Sequence, residues 1–146
     1  MDRPLNTARI RIFAGIAAVL TIAAGLAVRQ WVPSGFWSKY SGVALWSGVV
    51  YALVVFVRPI AGVIRCAVIA LLISWAVEFA QLTPAPGWLS SRHSGLRMIF
   101  GEHFSVRDLP AYAVGVLLAA ITDVSIVSRR APVALRRTLR RGSSTP

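Results

Sequence analysis

The chain is 146 residues long; 56% of its residues are hydrophobic and 14% are charged, and its mean hydropathy is +0.66. Soluble domains are about 25% charged, so this composition predicts a membrane protein. Because each membrane-spanning helix needs roughly 20 residues, the length allows a few spans in one domain and excludes a separate soluble enzyme domain.

The formal net charge of +11 would suggest nucleic-acid binding in a soluble chain. Here the basic residues lie between and beyond apolar runs, which favours contact with the lipid bilayer and its anionic headgroups. We therefore expect no nucleic-acid partner.

Four apolar runs follow one another, at about 12–28, 42–57, 66–82 and 109–127. Each is near the lower limit of length for a helix that crosses a bilayer. Backbone polar groups in lipid must be satisfied within the protein, which leaves helices as the structure for segments of this length. The sequence predicts an all-α integral membrane bundle of four transmembrane helices, forming a single domain over 1–128. A basic tail follows at 129–146.

The basic residues are divided unevenly between the two sides of this bundle. Eleven lie in the amino-terminal tail, the connection after the second run and the carboxy-terminal tail, and five lie in the other two connections. The positive-inside rule then predicts a multi-pass protein of the cell membrane, with both termini cytoplasmic. The connections at 29–41 and 83–108 are expected outside, where aromatic residues suit the headgroup level: Trp31, Trp37, Tyr40 and Trp88.

The third run carries a stripe of polar residues. Glu78 and Gln81 are three residues apart and Ser74 is four before Glu78, so the three share one helix face. Glu78 should lie about 6 Å from the outer end of its helix. A carboxylate at that depth needs a partner in the bundle or a wet cavity, and such residues usually serve function. We favour a site-forming role. A carboxylate that only bonds neighbouring helices, or that is protonated, remains the alternative.

The entry to the fourth run reads FSVRDLPAYAVG. Ser105 and Asp108 form a capping pattern, and Pro110 suits the first turn of a helix. Asp108 and Tyr112 are one turn apart and are expected to face the Glu78 stripe at the same depth. A carboxylate that caps with one oxygen can still offer the other. Small residues at every fourth position predict close helix packing: Ala111, Gly115 and Ala119.

The connection between the third and fourth runs contributes Arg92, whose fork of donors suits a phosphate or carboxylate. The candidate polar site thus comprises Glu78, Gln81, Arg92, Asp108 and Tyr112. The middle of the connection, 96–100, is apolar enough to form a short interfacial or re-entrant segment. Two histidines ten residues apart and the single cysteine predict no metal site, and we expect no cofactor. At the cytoplasmic end, Asp123 is expected to pair with a nearby arginine.

Four segments together resemble the bacterial membrane family called domain of unknown function 2809: KYSGVALW (39–46), SWAVEFAQL (74–82), PGWLSSR (86–92) and FGEHFSVRDLPAYAVG (100–115). The resemblance covers most of residues 10–125. More loosely, the outline is similar to that of VanZ-like proteins, which have an Asn at the position of Tyr112. The residues of this chain that match the family pattern are Lys39, Tyr40, Gly42, Trp46, Glu78, Gln81, Trp88, Arg92, Gly101, Phe104, Asp108, Tyr112 and Gly115. The VanZ likeness implies a role in the outer leaflet or cell envelope.

These patterns predict a protein that binds a lipid headgroup or envelope precursor at an outer-leaflet polar cluster, with catalysis left open. In that hypothesis Arg92 meets an anionic group, while Glu78 and Asp108 position it or exchange protons. The alternative is a non-catalytic structural or scaffold protein in which the polar stripe only joins helices. Transport is less favoured, because four helices are too few for an alternating pathway unless the chain oligomerises. The sequence does not predict an oligomeric state.

Overall fold

A computed structural model of the chain describes the backbone of residues 3–83 and 104–129, and the side chains of 7–83 and 104–125. Four helices lie in these ranges: α1 (Arg3–Trp31), α2 (Phe36–Val57), α3 (Val63–Ala80) and α4 (Asp108–Arg129). Each contains at least 18 residues that are apolar enough to cross a membrane. The prediction of an all-α bundle of four transmembrane helices is confirmed. The interfacial segment predicted within 84–103 lies outside the described residues.

The helices extend beyond most ends of the apolar runs. α1 begins at Arg3 rather than near residue 12, and α2 begins at Phe36 rather than near 42. An apolar run marks the hydrocarbon layer, whereas helical hydrogen bonding continues into the headgroup layer. α3 instead ends at Ala80, two residues early, where the N–H of Gln81 bonds the Glu78 carbonyl (3.1 Å) in a tightened last turn. The division into a domain at 1–128 and a tail at 129–146 stays a prediction.

α2 is the central helix, because it packs against α1, α3 and α4. α2 and α4 run in the same direction: Lys39 meets Asp108 near the start of both helices, and Tyr51 meets Asp123 further along. α3 runs the opposite way, so that Glu78, near its end, meets Tyr112 near the start of α4. We call the two ends of the bundle the Asp108 end and the Asp123 end.

α4 approaches α2 most closely at Gly115. A Cβ atom added there would overlap the carbonyl oxygen of Ala44 and the hydroxyl oxygen of Ser47. Ser47 is fully buried, and its hydroxyl donates to the Ala44 carbonyl (2.9 Å). Of the other small residues predicted to assist packing, Ala111 is partly buried and Ala119 packs against the buried core.

Apart from the buried hydroxyls of Ser47 and Ser74, the described interior between the two ends of the bundle is apolar. Val50 on α2, Ala70 on α3 and Val116 on α4 are buried in one hydrophobic cluster, and Ala70 is completely inaccessible. We call these three residues the Ala70 layer. By contrast, most large hydrophobic side chains of α1 point away from the bundle. This pattern is typical of a membrane protein, in which lipid covers the apolar exterior.

We expect Gly115→Ala to destabilise the bundle by about 1–3 kcal/mol, because the methyl group forces α4 away from the Ala44 carbonyl. Gly25→Ala in α1 is the matched control, since an added Cβ there has no atom within 4 Å. Thermal unfolding of the detergent-purified protein measures both. Equal melting temperatures for the two variants would contradict the close approach.

Candidate functional site

Glu78 is the centre of the polar cluster at the Asp108 end. Its side chain is only 1% exposed, and both carboxylate oxygens accept hydrogen bonds from other parts of the chain. The Tyr112 hydroxyl donates to Oε2 (2.7 Å), and the backbone N–H of Ser105 donates to Oε1 (2.7 Å). A buried carboxylate with two short donors is stabilised in the interior, where an unpaired one would be very unfavourable.

The Ser105 hydrogen bond changes the interpretation of the S-x-x-D pattern. In a capping box, the acid three residues on would accept the Ser105 N–H. Here the carboxylate of Glu78, from another helix, accepts it, while the N–H of Asp108 donates to the Ser105 carbonyl (2.9 Å) and α4 begins at Asp108. The pattern is therefore not a capping box. The prediction that Pro110 lies in the first turn of the helix is confirmed.

The Asp108 carboxylate is directed towards α2 instead. Asp108 is 6% exposed, and Lys39 Nζ lies 3.1 Å from its Oδ1. The contact between Lys39 and Asp108 is an ion pair. It is not a directed hydrogen bond, because its geometry does not satisfy Oδ1 as an acceptor. The Lys39 side chain is 50% exposed and its ammonium lies 5.5 Å from the centre of the Tyr40 ring. The pair thus joins a buried anion to a surface cation.

Aromatic contacts hold α3 against the start of α4 beside Glu78. The Trp75 indole N–H donates to the Leu109 carbonyl (3.3 Å), and the rings of Phe79 and Phe104 stack with centroids 5.9 Å apart. These contacts and the two Glu78 hydrogen bonds fix α3 and α4 relative to one another at this end.

The structure brings together three of the five predicted site residues: Glu78 bonds Tyr112, and Asp108 lies one turn before Tyr112 on α4. Gln81 follows α3 directly and is partly buried. Arg92 lies outside the described residues. The functional role of the five stays a prediction.

Lys39 was not among the predicted site residues. It belongs to the KYSG segment of the family resemblance, which is the one sequence signal that singles it out. No local pattern could link it to Asp108, which lies 69 residues further along the chain.

A second acid and tyrosine pair lies at the Asp123 end. Tyr51 is 3% exposed, and its hydroxyl donates to Asp123 Oδ2 (2.8 Å). The arginines expected to pair with Asp123, such as Arg129 and Arg130, have side chains outside the described residues. Cys66 is buried on α3 within the same hydrophobic cluster as Tyr51.

Chemically, the Asp108 end combines a satisfied buried carboxylate, a phenol and an accessible ammonium. Within residues 7–83 and 104–125, no three His, Cys, Asp or Glu side chains lie close enough to hold a metal ion. The Lys39 ammonium is accessible and has unused donors, since an ammonium carries three N–H bonds. The arrangement suits the binding of an anionic group at the membrane surface.

We expect Tyr112→Phe to lower the free energy of unfolding by about 1–2 kcal/mol, because it removes a hydrogen bond to a buried carboxylate. Combined with Glu78→Gln, its effect should be non-additive, since the two residues share that bond. Tyr51→Phe is the matched control: it removes the equivalent bond at the opposite end and should be additive with Glu78→Gln. Denaturation in detergent measures the free energy of unfolding of the three single variants and the two double variants. An additive Glu78 and Tyr112 pair would contradict the shared bond.

The comparison with protein families agrees with the resemblance noted in the sequence. The chain matches no curated protein and no solved structure. The family model described as "Protein of unknown function (DUF2809)" matches residues 32–116, which is more than half of the chain. The matched range covers α2, α3 and the start of α4 through Val116, and so includes both Lys39 and Glu78. The chain is therefore a multi-pass membrane protein that belongs to the DUF2809 family.

Proposed function

We propose that the protein binds the anionic headgroup of a membrane lipid or a cell-envelope precursor at the Asp108 end of the bundle. The observation that carries this proposal is the Lys39 ammonium, half exposed at the start of α2 and held 3.1 Å from the buried Asp108 carboxylate. A cation fixed at the edge of a membrane helix is suited to a phosphate or carboxylate at headgroup level.

Asp108 orients this cation rather than neutralising it completely. Asp108 contacts the ammonium through one oxygen (3.1 Å), and the exposed half of the Lys39 side chain remains open to a ligand. The fixed position of Asp108 reduces the entropy that a free lysine would lose on binding. The ammonium is thus prepared for an anion before the ligand arrives.

Glu78 does not contact the ligand directly. Both of its oxygens are used inside the chain, so Glu78 joins α3 to the start of α4 and keeps Asp108 at the level of Lys39. Glu78 and Tyr112 are positioning residues in this proposal. Arg92 is proposed as a second cation for the ligand, on the strength of the sequence pattern.

Orientation completes the proposal. The positive-inside rule predicts cytoplasmic termini, and with that orientation the Asp108 end would lie at the outer face of the plasma membrane. The ligand would then be a component of the outer leaflet or of the cell envelope, in keeping with the looser VanZ-like resemblance.

A scaffold function is the second candidate, and one specific observation favours it. Glu78 is 1% exposed and has both oxygens satisfied by Ser105 and Tyr112, which is sufficient to join two helices without any ligand. The two functions differ at Lys39: a scaffold does not need its exposed ammonium, whereas a headgroup site does.

We expect Lys39→Gln to reduce the amount of anionic lipid that co-purifies with the protein about fivefold, because it removes the cation that Asp108 holds in place for the headgroup, a contribution of about 1 kcal/mol. Mass spectrometry of the purified protein identifies and quantifies that lipid. Arg29→Gln is the control, since Arg29 is an exposed cation at the end of α1, on the same side of the bundle. An unchanged lipid complement in Lys39→Gln, with intact assembly, would support the scaffold.

We expect a reporter fused at Pro84 to be extracytoplasmic, and reporters at either terminus to be cytoplasmic, because 11 of the 16 basic residues lie on the terminal side. Accessibility of single cysteines to an impermeant reagent, in a Cys66→Ser background, gives an independent measurement. A cytoplasmic signal at Pro84 would place the Lys39 site at the inner leaflet and contradict the envelope assignment.

A further inference from the structure

We infer, building on the proposed function, that the ligand at Lys39 is a lipid whose phosphate carries a cyclic polyol, such as a sugar or an inositol ring. Three aromatic side chains at the start of α2 supply the surface for that ring, and the Lys39 ammonium supplies the cation for the phosphate. We call Phe36, Trp37 and Tyr40 the aromatic platform.

The rings of the aromatic platform contact one another. The centroids of Phe36 and Tyr40 lie 4.5 Å apart with the rings tilted by 53°, and those of Phe36 and Trp37 lie 5.4 Å apart in an edge-to-face arrangement. Phe36 and Tyr40 are four residues apart, so they share one face of α2. Because each ring restrains its neighbour, the platform is formed before a ligand arrives, which reduces the entropy lost on binding.

Two rings of the platform are open to the outside. Phe36 is 66% exposed and Trp37 is 77% exposed, so each has ring surface without a protein neighbour. Both lie at the beginning of α2, before the apolar run that starts near residue 42. They therefore lie in the headgroup layer rather than in the hydrocarbon, and a headgroup rather than an acyl chain covers them.

Lys39 limits which headgroup the platform can accept. Its ammonium lies 5.5 Å from the centre of the Tyr40 ring and 3.1 Å from Asp108 Oδ1. Aromatic faces can also bind a quaternary ammonium such as choline, but the positive charge already beside these rings repels a second cation. The platform thus favours an uncharged group next to the anion that Lys39 binds.

A cyclic polyol has the shape and polarity that this surface requires. Its hydroxyl groups lie around the edge of the ring, and its two faces carry C–H groups. The negative face of an aromatic ring attracts those C–H groups, and both apolar faces leave water together. A linear polyol such as glycerol has no comparable flat face. The platform therefore distinguishes a cyclic headgroup from a linear one of the same charge.

Interfacial anchoring is the other role open to exposed aromatic residues at the ends of membrane helices. Trp31, at the end of α1 on the same side of the bundle, fits that role: it is 80% exposed and contacts no other ring within the part of the chain that the structure describes. The platform differs, because its rings contact one another and adjoin a cation that Asp108 holds from another helix. Trp31 is therefore the matched control.

The test measures lipid binding to the delipidated full chain in detergent by native mass spectrometry, with phosphatidylinositol, phosphatidylglycerol and phosphatidylcholine as probes. The first two have the same charge and differ in the ring. The wild type should bind phosphatidylinositol about fivefold more tightly than phosphatidylglycerol, and phosphatidylcholine most weakly. Trp37→Leu should abolish this preference, Trp37→Phe should keep most of it, and Trp31→Leu should leave it unchanged. Unchanged phosphatidylglycerol affinity in Trp37→Leu shows that the variant is folded.

Lys39→Gln separates this inference from the proposed function, since it should weaken both anionic lipids equally and keep their ratio. Equal wild-type affinities for phosphatidylinositol and phosphatidylglycerol, both weakened by Lys39→Gln, would overturn the cyclic polyol and leave headgroup binding intact. If Lys39→Gln weakened neither lipid, both would be overturned. Equal loss of the preference in Trp31→Leu and Trp37→Leu would assign the rings to anchoring, and tighter binding of phosphatidylcholine would assign them to an ammonium; either result would overturn the inference.

Discussion

The structure depends on one constraint: the Glu78 carboxylate lies inside a membrane bundle, so the chain itself must satisfy it. It does so with a side chain and a backbone N–H from the beginning of α4, Tyr112 and Ser105. These bonds fix the start of α4 against the end of α3. Because Ser105 is bonded to Glu78 rather than to Asp108, the Asp108 carboxylate is left to orient Lys39 on α2. Glu78 therefore fixes the position of Asp108, and Asp108 in turn fixes the position of the Lys39 ammonium at the surface.

Hydropathy predicts much of the fold, and helical spacing predicts the part of the polar cluster in which Glu78 faces Asp108 and Tyr112. Four apolar runs predicted four helices, and the stripe through Glu78 correctly predicted that this residue would meet Tyr112. The capping interpretation of Ser105 and Asp108 was wrong because a local pattern cannot show that a distant carboxylate competes for the same N–H. Lys39 was missed for a related reason: its partner is brought to it by the parallel packing of α2 and α4, which leaves no periodic signal in either segment.

The ends of the helices also differ from what hydropathy alone predicts. An apolar run measures the part of a helix that lies in hydrocarbon, whereas the hydrogen-bonded helix continues as long as its backbone groups find partners. α1 and α2 therefore begin well before their apolar runs. α3 ends earlier than its run because Gln81, Leu82 and Thr83 donate backbone N–H groups three residues back, which tightens the last turn. This tightening occurs directly after Glu78, where the chain leaves α3.

Apolar packing alone would not determine how α4 lies along α2 and α3. Small residues line this interface, and lipid is as apolar as the side chains that it replaces, so a shift of one turn would change the packing energy little. The polar contacts remove this freedom. Glu78 with Tyr112, Lys39 with Asp108, and Tyr51 with Asp123 are satisfied together in one register, and the close approach at Gly115 selects the same one. Polar contacts at both ends of α4 therefore fix both its rotation and its translation.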